Sequence, residues 1–233
     1  MHNLDKKFKI CYYYFMIITI DGPAGAGKSS ISKKVAQELG FMVLDTGAMY
    51  RCVAYFMDKQ NLTLEELLNH DMLSDFTVEF WDGKVFLNGE NVSSLIRTPE
   101  IDKRASEVSQ NAYVRSVMQD LQRLIARGTN IVAEGRDMGS AVFPDAELKI
   151  YLDASPEIRA ERRRMQLLQR GITVDKDQLL QKMICRDYDD SNRAISPLCV
   201  PKNAIVINTD HIFPSEVLDK IVSLAKKLIR SEL

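Results

Sequence analysis

A glycine-rich segment near the amino end combines residue types that bind phosphate. It spans residues 22–29 and reads Gly22-Pro23-Ala24-Gly25-Ala26-Gly27-Lys28-Ser29. This fits the pattern GxxxxGK[ST], in which glycines let backbone N–H groups surround phosphate oxygens and the lysine adds a mobile charge. The hydroxyl of Ser29 is a candidate Mg²⁺ ligand, and that of Ser30 is the alternative. Because an apolar run precedes the segment and an amphipathic pattern follows it, we predict a nucleotide-binding phosphate loop rather than a chance glycine turn.

Two further polar segments follow apolar runs in the same way. The first is Asp45-Thr46-Gly47-Ala48-Met49-Tyr50-Arg51, and the second is Glu134-Gly135-Arg136-Asp137-Met138-Gly139. The carboxyl ends of parallel strands meet at one edge of a sheet, where open α/β proteins bind ligands. We therefore expect both segments to lie beside the phosphate loop, where an acceptor molecule would rest. The alternative is that each segment caps the next helix and leaves its arginine in solvent.

Arginines concentrate in two helical patterns nearer the carboxyl end. Arg186, Asp190 and Arg193 are spaced i, i+4 and i+7, which places them on one helical face. Arg159 and Arg162-Arg163-Arg164 occupy the middle of another helix, which we expect to be exposed. On composition alone, the first group could equally be a surface ion-pair ladder and the second a solvated face.

These groups suit phosphoryl transfer between two phosphorylated molecules. Such a reaction crowds negative charge, which guanidinium groups and Mg²⁺ must offset as the transferred group passes in line. An acceptor phosphate oxygen is already nucleophilic at neutral pH, so no Ser-His-Asp set is required. The sequence has no Asn-Lys-x-Asp guanine-reading motif, and 233 residues leave little room for the accessory domains of a motor ATPase. A small kinase is therefore favoured over a GTPase, a motor or a slowly hydrolysing regulatory module.

The elements that must position these residues alternate between strands and helices. Short apolar runs, typical of strands buried on both faces of a parallel sheet, occur at 17–20, 42–44, 131–133, 148–152 and 204–207. The helical patterns between them have legible ends at Gly40, at Gly128, and at Ser155-Pro156 and Gly171, with Ser155 as the expected N-cap. The pattern predicts an α/β fold, a P-loop NTPase three-layer sandwich on a parallel five-stranded sheet.

Residues from about 62 to 104 interrupt this alternation. Phe76, Val78 and Phe80 alternate with polar residues, and Asp82-Gly83 and Asn88-Gly89 are turn signals. We predict a small antiparallel insertion on the substrate side of the sheet.

The composition excludes several partners. Lysine and arginine number 31 against 32 acidic residues, so no global basic field favours nucleic acid or an anionic membrane surface. The four cysteines lie far apart and form no CxxC pair, which favours reduced thiols in the cytoplasm.

A basic and apolar stretch at residues 6–20 superficially resembles a signal peptide, but its cleavage would remove the first strand. We expect a cytoplasmic monomer.

The chain resembles bacterial cytidylate kinases of the longer type from about residue 16 to its carboxyl end. The resemblance is carried by Ile17–Pro23 with the phosphate loop, Asp45–Arg51, Gly135–Gly139 with Val142–Ala146, and Arg186–Ala194. It implies the nucleoside monophosphate kinase fold and Mg²⁺-dependent transfer of the γ-phosphoryl group of ATP to CMP or dCMP. Another small P-loop kinase, acting on a different monophosphate or a small metabolite, is the alternative.

The resemblance also implies roles for individual residues. ATP would bind at Gly22, Pro23, Ala24, Gly25, Ala26, Gly27, Lys28, Ser29 and Ser30, with the metal at Ser29. CMP would bind at Thr46, Tyr50, Arg51, Ser106, Arg115, Arg136, Asp137, Arg186, Asp190 and Arg193. The catalytic set would be Lys28, Arg136, Arg159 and Arg163. Asp137 would accept a hydrogen bond from cytosine N4, while Ser106 and Arg115 would address the acceptor atoms of the base.

The domain division follows from the insertion and from the lid that the resemblance implies. Residues 1–15 would be an amino-terminal extension and 62–121 the inserted CMP-binding α+β domain. Residues 159–173 would be the helical lid. The core would comprise 16–61, 122–158 and 174–233.

Overall fold

The computed structural model describes residues 15–69, 73 and 76–231, so the predicted extension, apart from Phe15, lies outside the described residues. In chain order the strands are β1 (Ile17–Asp21), β2 (Met42–Asp45), β3 (Val78–Trp81), β4 (Lys84–Leu87), β5 (Glu90–Asn91), β6 (Ile131–Gly135), β7 (Leu148–Asp153) and β8 (Ile205–Asn208). Five of them form one sheet in the order β2-β6-β1-β7-β8, with every pairing parallel. The predicted five-stranded parallel sheet is confirmed.

The helices are α1 (Lys28–Leu39), α2 (Thr46–Lys59), α3 (Leu64–Asn69), α4 (Pro99–Val108), α5 (Ala112–Ala126), α6 (Pro156–Leu168), α7 (Lys176–Asn192) and α8 (Pro214–Ser231). One face of the sheet packs against α1 and α8 through a buried apolar cluster that includes Ile20, Val35 and Ile221. The other face packs against α2 and α5 through Met49 and Met118. The two helical layers around the sheet make the predicted three-layer sandwich.

Helix ends follow the local chemistry of the sequence. Helix α1 ends at Gly40, whose φ of 68° lies in the left-handed region that favours glycine, and its N–H bonds the carbonyl of Ala36. Ser155 occupies the N-cap position of α6 as predicted, but its side chain makes no capping bond there. Its hydroxyl instead donates to Asp210 Oδ1 at 3.3 Å, because that carboxylate also accepts the backbone N–H of Ser155 at 2.8 Å.

The register of the sheet aligns its polar strand ends. Strand β6 lies between β1 and β2. Asp21 of β1 pairs with Gly135 of β6, and Asp45 of β2 pairs with Glu134 of β6. The segments that follow β1, β2 and β6 therefore leave the sheet at the same edge, as predicted.

The predicted antiparallel pairing in the insertion is also confirmed. Strands β3, β4 and β5 form a separate three-stranded sheet, with the first turn at Asp82-Gly83. The insertion does not have a core of its own, however. Val85, Ile96 and Ile101 lie in the same continuous buried cluster as Met49 of α2.

Two of the predicted domain boundaries fall within helices. Helix α5 runs unbroken across 121/122, and α6 runs unbroken across 158/159. The division into extension, core, insertion and lid stays a prediction. Across the described stretches, none of the helices combines the length and apolar character that crossing a membrane requires.

Candidate functional site

The phosphate loop joins β1 to α1, and two of its positions accept only glycine. Gly22 has a φ of 145°, and a Cβ there would lie 2.0 Å from the carbonyl oxygen of Leu152. Gly25 has a φ of 80°, and a Cβ there would lie 3.0 Å from Cβ of Arg159. Gly27 precedes α1 without a side-chain cap. The first N–H groups of α1 therefore remain available to an anion such as phosphate.

Lys28 is buried beneath this loop. Its Nζ donates a hydrogen bond to the carbonyl of Pro23 at 2.7 Å. Burial, and then the positive charge of Arg136, lower the pKa of Lys28 from 10.5 to about 7, although Glu134 and Asp21 act in the opposite direction. The lysine charge is thus poorly compensated by the protein alone, and bound phosphate oxygens would favour the protonated form.

Asp21, the last residue of β1, connects the phosphate loop to the segment after β6. Its two carboxylate oxygens accept hydrogen bonds from the N–H groups of Met138 and Gly139, each at 2.8 Å. These bonds hold the π-helical turn Met138–Val142, which directly follows Arg136 and Asp137. Burial raises the pKa of Asp21 to about 6, and the two backbone bonds partly offset this effect.

Ser29 and Glu134 form the donor set that best suits a magnesium ion. Burial raises the pKa of the Glu134 carboxylate, and the exposed Ser29 partly offsets this rise, whereas the Ser30 hydroxyl donates to the carbonyl of Gly27 at 3.0 Å. Among the residues that the structure describes, no group of three His, Cys, Asp or Glu side chains makes a protein-only metal cage. Mg²⁺ in phosphotransfer sites takes few protein oxygens and completes its shell with water and phosphates, so the pair fits this ion.

Asp45 organises the start of α2. Its Oδ1 caps the helix by accepting the N–H of Ala48 at 2.8 Å, and its Oδ2 accepts Nη2 of Arg97 at 2.7 Å. Arg51 Nη1 lies 4.0 Å from Oδ1. Burial alone would raise the pKa of Asp45, but Arg51, Arg97 and these hydrogen bonds hold it below its ordinary value. The helix-cap alternative is therefore correct for Asp45, but Arg51 is ion-paired rather than left in solvent.

Thr46 and Tyr50 are both buried on α2. The Thr46 hydroxyl donates to the carbonyl of Glu134 at 2.7 Å, which ties α2 to β6. The ring of Tyr50 lies beneath Arg115, with the guanidinium carbon 5.5 Å from the ring centroid, a cation–π contact. Burial raises the pKa of the Tyr50 hydroxyl well above its ordinary value, so this group is neutral.

Arg136, Arg186, Asp190 and Arg193 meet where α7 passes the end of β6. The buried Asp190 carboxylate accepts Nε of Arg136 at 3.0 Å and lies 3.5 Å from Nη1 of Arg193. Burial, and then Arg136, lower the pKa of Arg186, although Asp190 and Asp102 favour its charged form. The structure therefore brings these four predicted residues together and contradicts the alternative of an exposed ion-pair ladder.

Asp137 is the centre of a buried polar cluster. Its Oδ2 accepts Nη2 of Arg115 at 2.5 Å and Nε2 of Gln119 at 3.1 Å, and Arg193 Nη2 lies 3.5 Å from Oδ1. Gln119 further donates to Ser196 Oγ at 2.9 Å.

Ser106 lies near the end of α4, half-buried. Its carbonyl accepts the hydroxyl of Ser109 at 2.8 Å, and the carbonyl of Ser109 in turn accepts Nη1 of Arg115 at 3.2 Å. This chain of bonds links the end of α4 to the Asp137 cluster.

We predicted that Arg159 lies on an exposed helical face, and this prediction is wrong. The side chain is buried against the phosphate loop. Its Nη1 donates to the carbonyl of Ala24 at 3.1 Å and pairs with Asp187 Oδ2 at 2.6 Å, and its Nε donates to the carbonyl of Ala154 at 2.8 Å. The close approach of Gly25 to this side chain explains the burial.

The other arginines of α6 point to different partners. Arg162 Nη2 donates to the carbonyl of Thr209 at 2.6 Å, Arg163 Nη2 donates to Asp102 Oδ2 at 2.5 Å, and Arg164 pairs with Glu161 of its own helix at 2.7 Å. Arg164 alone among these four fits the alternative of a solvated face.

Sequence reasoning missed five residues that organise the site: Asp21, Arg97, Asp102, Gln119 and Asp187. Asp21 carried a usable signal, since it is a carboxylate at the end of a buried strand. The other four lie on helices or loops far along the chain from their partners, and no local pattern marks them.

Several buried guanidinium nitrogens at this edge have unused hydrogen-bonding capacity. Within the stretches that the structure describes, Arg51 Nη1, Arg115 Nε and Arg186 Nε have no hydrogen-bond partner. Buried donors without partners are costly in a folded protein, and a bound anion or base would satisfy them. The edge beside the phosphate loop is therefore suited to a second anionic molecule.

Comparison with known proteins agrees with this arrangement. The family model described as Cytidylate kinase matches residues 18–227. The chain is 41% identical to the cytidylate kinase of Thermosipho melanesiensis, with 90% of this chain and 96% of that protein covered. It is 43% identical to the cytidylate kinase of Thermodesulfovibrio yellowstonii, with 88% and 96% covered.

A solved structure supports the fold independently. An uncharacterised protein from Eubacterium ventriosum superposes with a TM-score of 0.50 at 13% identity, over 90% of this chain and 97% of that one. At this identity the likeness concerns the fold alone. The family match, the close relatives and the phosphate loop at the edge of the sheet together establish that the chain belongs to the cytidylate kinase family.

Proposed function

We propose that the protein transfers the γ-phosphoryl group of ATP to CMP or dCMP, giving ADP and CDP or dCDP, with Mg²⁺. The observation that carries the proposal is a set of buried guanidinium nitrogens that have no hydrogen-bond partner among the described residues: Arg51 Nη1, Arg115 Nε and Arg186 Nε. A protein that bound ATP alone would have no use for them. The monomeric state and the cytoplasmic location stay predictions from the sequence.

In this proposal the phosphate loop and Lys28 hold the donor. Backbone N–H groups of residues 24–30 would surround the β- and γ-phosphates, and Lys28 would exchange its bond to the Pro23 carbonyl for one to a phosphate oxygen. Ser29 and Glu134 would hold Mg²⁺, which would offset negative charge on the phosphates. Arg159 supports the loop through Ala24 and faces the donor side.

The acceptor phosphate would lie among Arg51, Arg136 and Arg193, with Arg186 and Asp190 beside the sugar. These groups hold the attacking phosphate oxygen in line with the γ-phosphorus and offset the charge of both phosphates. No proton acceptor is needed, because that oxygen is already ionised at neutral pH. Thr46 would position α2 against β6 rather than donate a hydrogen bond to the acceptor, because its hydroxyl already donates to the backbone carbonyl of Glu134.

Asp137 would select cytosine. Its carboxylate accepts hydrogen bonds, which suits the N4 amino group of cytosine, whereas uracil presents a carbonyl oxygen at the same place. Arg115 and Ser106 would donate to the acceptor atoms of the base. The rival, a small P-loop kinase for another acceptor, would have no use for this set.

The test is an ADP-release assay with ATP and Mg²⁺ that offers CMP, dCMP, UMP, AMP and GMP separately. Wild type is compared with Asp137→Ala and with a control, Glu38→Gln, which is exposed on α1. We expect strong turnover of CMP and dCMP in wild type and control, and its loss in Asp137→Ala. Preference for AMP or GMP, or no monophosphate-dependent ADP release, would refute the proposal.

A further inference from the structure

Three helices meet at one carboxylate, that of Asp102 on α4. Its Oδ1 accepts Nε of Arg51, on α2, at 2.7 Å, and its Oδ2 accepts Nη2 of Arg163, on α6, at 2.5 Å. The three side chains are 22%, 20% and 30% exposed for Arg51, Asp102 and Arg163. They are therefore largely shielded from water, unlike a surface ion pair, which contributes little.

The carboxylate joins α6 to α2 and α4, two helices that already pack against each other through the buried apolar cluster. Helix α4 follows the inserted sheet, α2 starts at the edge of the main sheet, and α6 carries Arg159 to the phosphate loop. Without the carboxylate between them, the guanidinium groups of Arg51 and Arg163 would repel each other. One acidic side chain thus allows two cations to lie close together.

The bond to Asp102 also fixes the orientation of Arg51. Because Nε is occupied by Asp102, the guanidinium plane is set, and Nη1 is left buried without a hydrogen-bond partner in the described part of the chain. A planar guanidinium held at Nε presents its remaining N–H groups in a fixed direction. That direction determines where an acceptor phosphate can bind.

We propose that Asp102 is a positioning residue, which fastens α6 to the inserted segment and orients Arg51 for the acceptor phosphate. The orienting role rests on the proposed function, whereas the fastening role does not. Asp102 touches neither substrate nor the transferred group and acts through Arg51 and Arg163.

The kinetic test compares wild type, Asp102→Asn, Asp102→Glu and the control Glu100→Gln, an exposed acidic residue on the same helix. Asp102→Asn retains the side-chain shape but loses the charge. Since small displacements of aligned groups are costly, we expect kcat to fall about tenfold and KM for CMP to rise, with KM for ATP little changed. Asp102→Glu should restore part of the activity, and Glu100→Gln should behave as wild type.

A double-mutant cycle separates action through Arg163 from a general structural effect. If Asp102 acts through Arg163, the kcat of Asp102→Asn/Arg163→Ala should be no lower than that of the worse single variant. The proposal would be overturned if the reductions in kcat of the two single variants multiplied in the double variant. An unchanged KM for CMP in a folded Asp102→Asn variant would also overturn it.

Amide hydrogen exchange tests the fastening role without any kinase assay. We expect the amides of α4 and of the carboxyl half of α6 to exchange faster in Asp102→Asn than in wild type. Glu100→Gln should exchange at the wild-type rate. Unchanged exchange in both helices would refute the fastening role. If exchange changes as expected but wild type does not phosphorylate CMP, the proposed function fails and the fastening role stands.

Discussion

At the scale of single residues, burial decides the charge state of the groups beneath the phosphate loop. Lys28 and Asp21 are both buried, and each has its pKa moved toward neutrality by loss of solvent. Among the described residues, no carboxylate lies within hydrogen-bond distance of Lys28 Nζ, which donates instead to the carbonyl of Pro23. The protonated form of Lys28 is therefore only weakly favoured in the free protein, and the oxygens of a bound polyphosphate would stabilise it.

We predict that ATP binding is accompanied by proton uptake at Lys28 near pH 8. Because its pKa is about 7 in the free protein, Lys28 is mostly neutral at this pH, and phosphate oxygens would raise its pKa. Calorimetric titration in buffers of different ionisation enthalpy measures the uptake. Lys28→Met should lose it, whereas Lys33→Met, an exposed residue on α1, should retain it. Identical buffer dependence in wild type and Lys28→Met would contradict the prediction.

We predict that Asp21 makes the protein less stable as pH rises. Its pKa is raised from 3.8 to about 6, so the folded state binds the proton more tightly than the unfolded state. The contribution of Asp21 to the free energy of unfolding is therefore most favourable near pH 4 and falls as pH rises through 6. The full shift corresponds to a loss of up to about 3 kcal/mol.

Urea unfolding of wild type and Asp21→Asn at pH 5 and pH 7.5 measures this effect. The difference between the two proteins removes the contributions of other carboxylates, several of which have lowered pKa values. We expect wild type to lose more stability between these pH values than Asp21→Asn does. Equal losses would mean that Asp21 does not titrate in this window.

At the scale of elements, α6 shows how one helix can serve three neighbours. Arg159, Arg162 and Arg163 follow at i, i+3 and i+4, and they contact the phosphate loop, the Thr209 carbonyl and Asp102 respectively. The helix therefore depends on polar contacts as much as on apolar packing. Its position would be sensitive to the loss of any one of these three arginines.

We predict that Arg159→Ala lowers the free energy of unfolding by roughly 3 kcal/mol, because it leaves the partly buried carboxylate of Asp187 without its partner. Arg164→Ala is the matched control, since its pairing with Glu161 lies on the exposed face of the same helix. We expect the control to leave the free energy of unfolding nearly unchanged, because an exposed ion pair contributes little to stability. Thermal and urea unfolding measure both, and comparable losses would contradict the prediction.

Local patterns predicted the elements but not the contacts between them. The five strands of the main sheet were predictable because each is largely a short apolar run, and the end of α1 because Gly40 takes a left-handed conformation. The exposure of Arg159 was predicted wrongly, because four neighbouring arginines do not reveal which face of the helix meets the phosphate loop. The role of Asp102 was not predictable, since its partners Arg51 and Arg163 are distant in sequence.

At the scale of the whole molecule, the insertion and the core share one apolar cluster. Val85 and Ile96 of the insertion contact the same buried cluster as Met49 and Val53 of α2. A segment that looks like a separate domain in sequence is thus bound to the core by hydrophobic burial. The two parts should unfold together.

We predict a single unfolding transition, even when the insertion is weakened. Ile96→Ala removes a fully buried side chain and should cost about 2–5 kcal/mol. The only tryptophan in the sequence, Trp81, lies on β3 and reports on the insertion, while circular dichroism reports on all helices. The two signals should give the same midpoint in wild type and variant. A lower fluorescence midpoint in Ile96→Ala would mean that the insertion unfolds separately.

The two backbone hydrogen bonds that Asp21 accepts bear on the precision of the site. The phosphate loop begins one residue after Asp21, and the turn that Asp21 holds begins one residue after Asp137. In the proposed function, both substrates would thus be positioned relative to two hydrogen-bonded strands, whose spacing of about 4.8 Å is among the least variable distances in a protein. Thermal motion of outer helices would then displace donor and acceptor together, and the gap that the phosphoryl group crosses would fluctuate less than the helices that cover it.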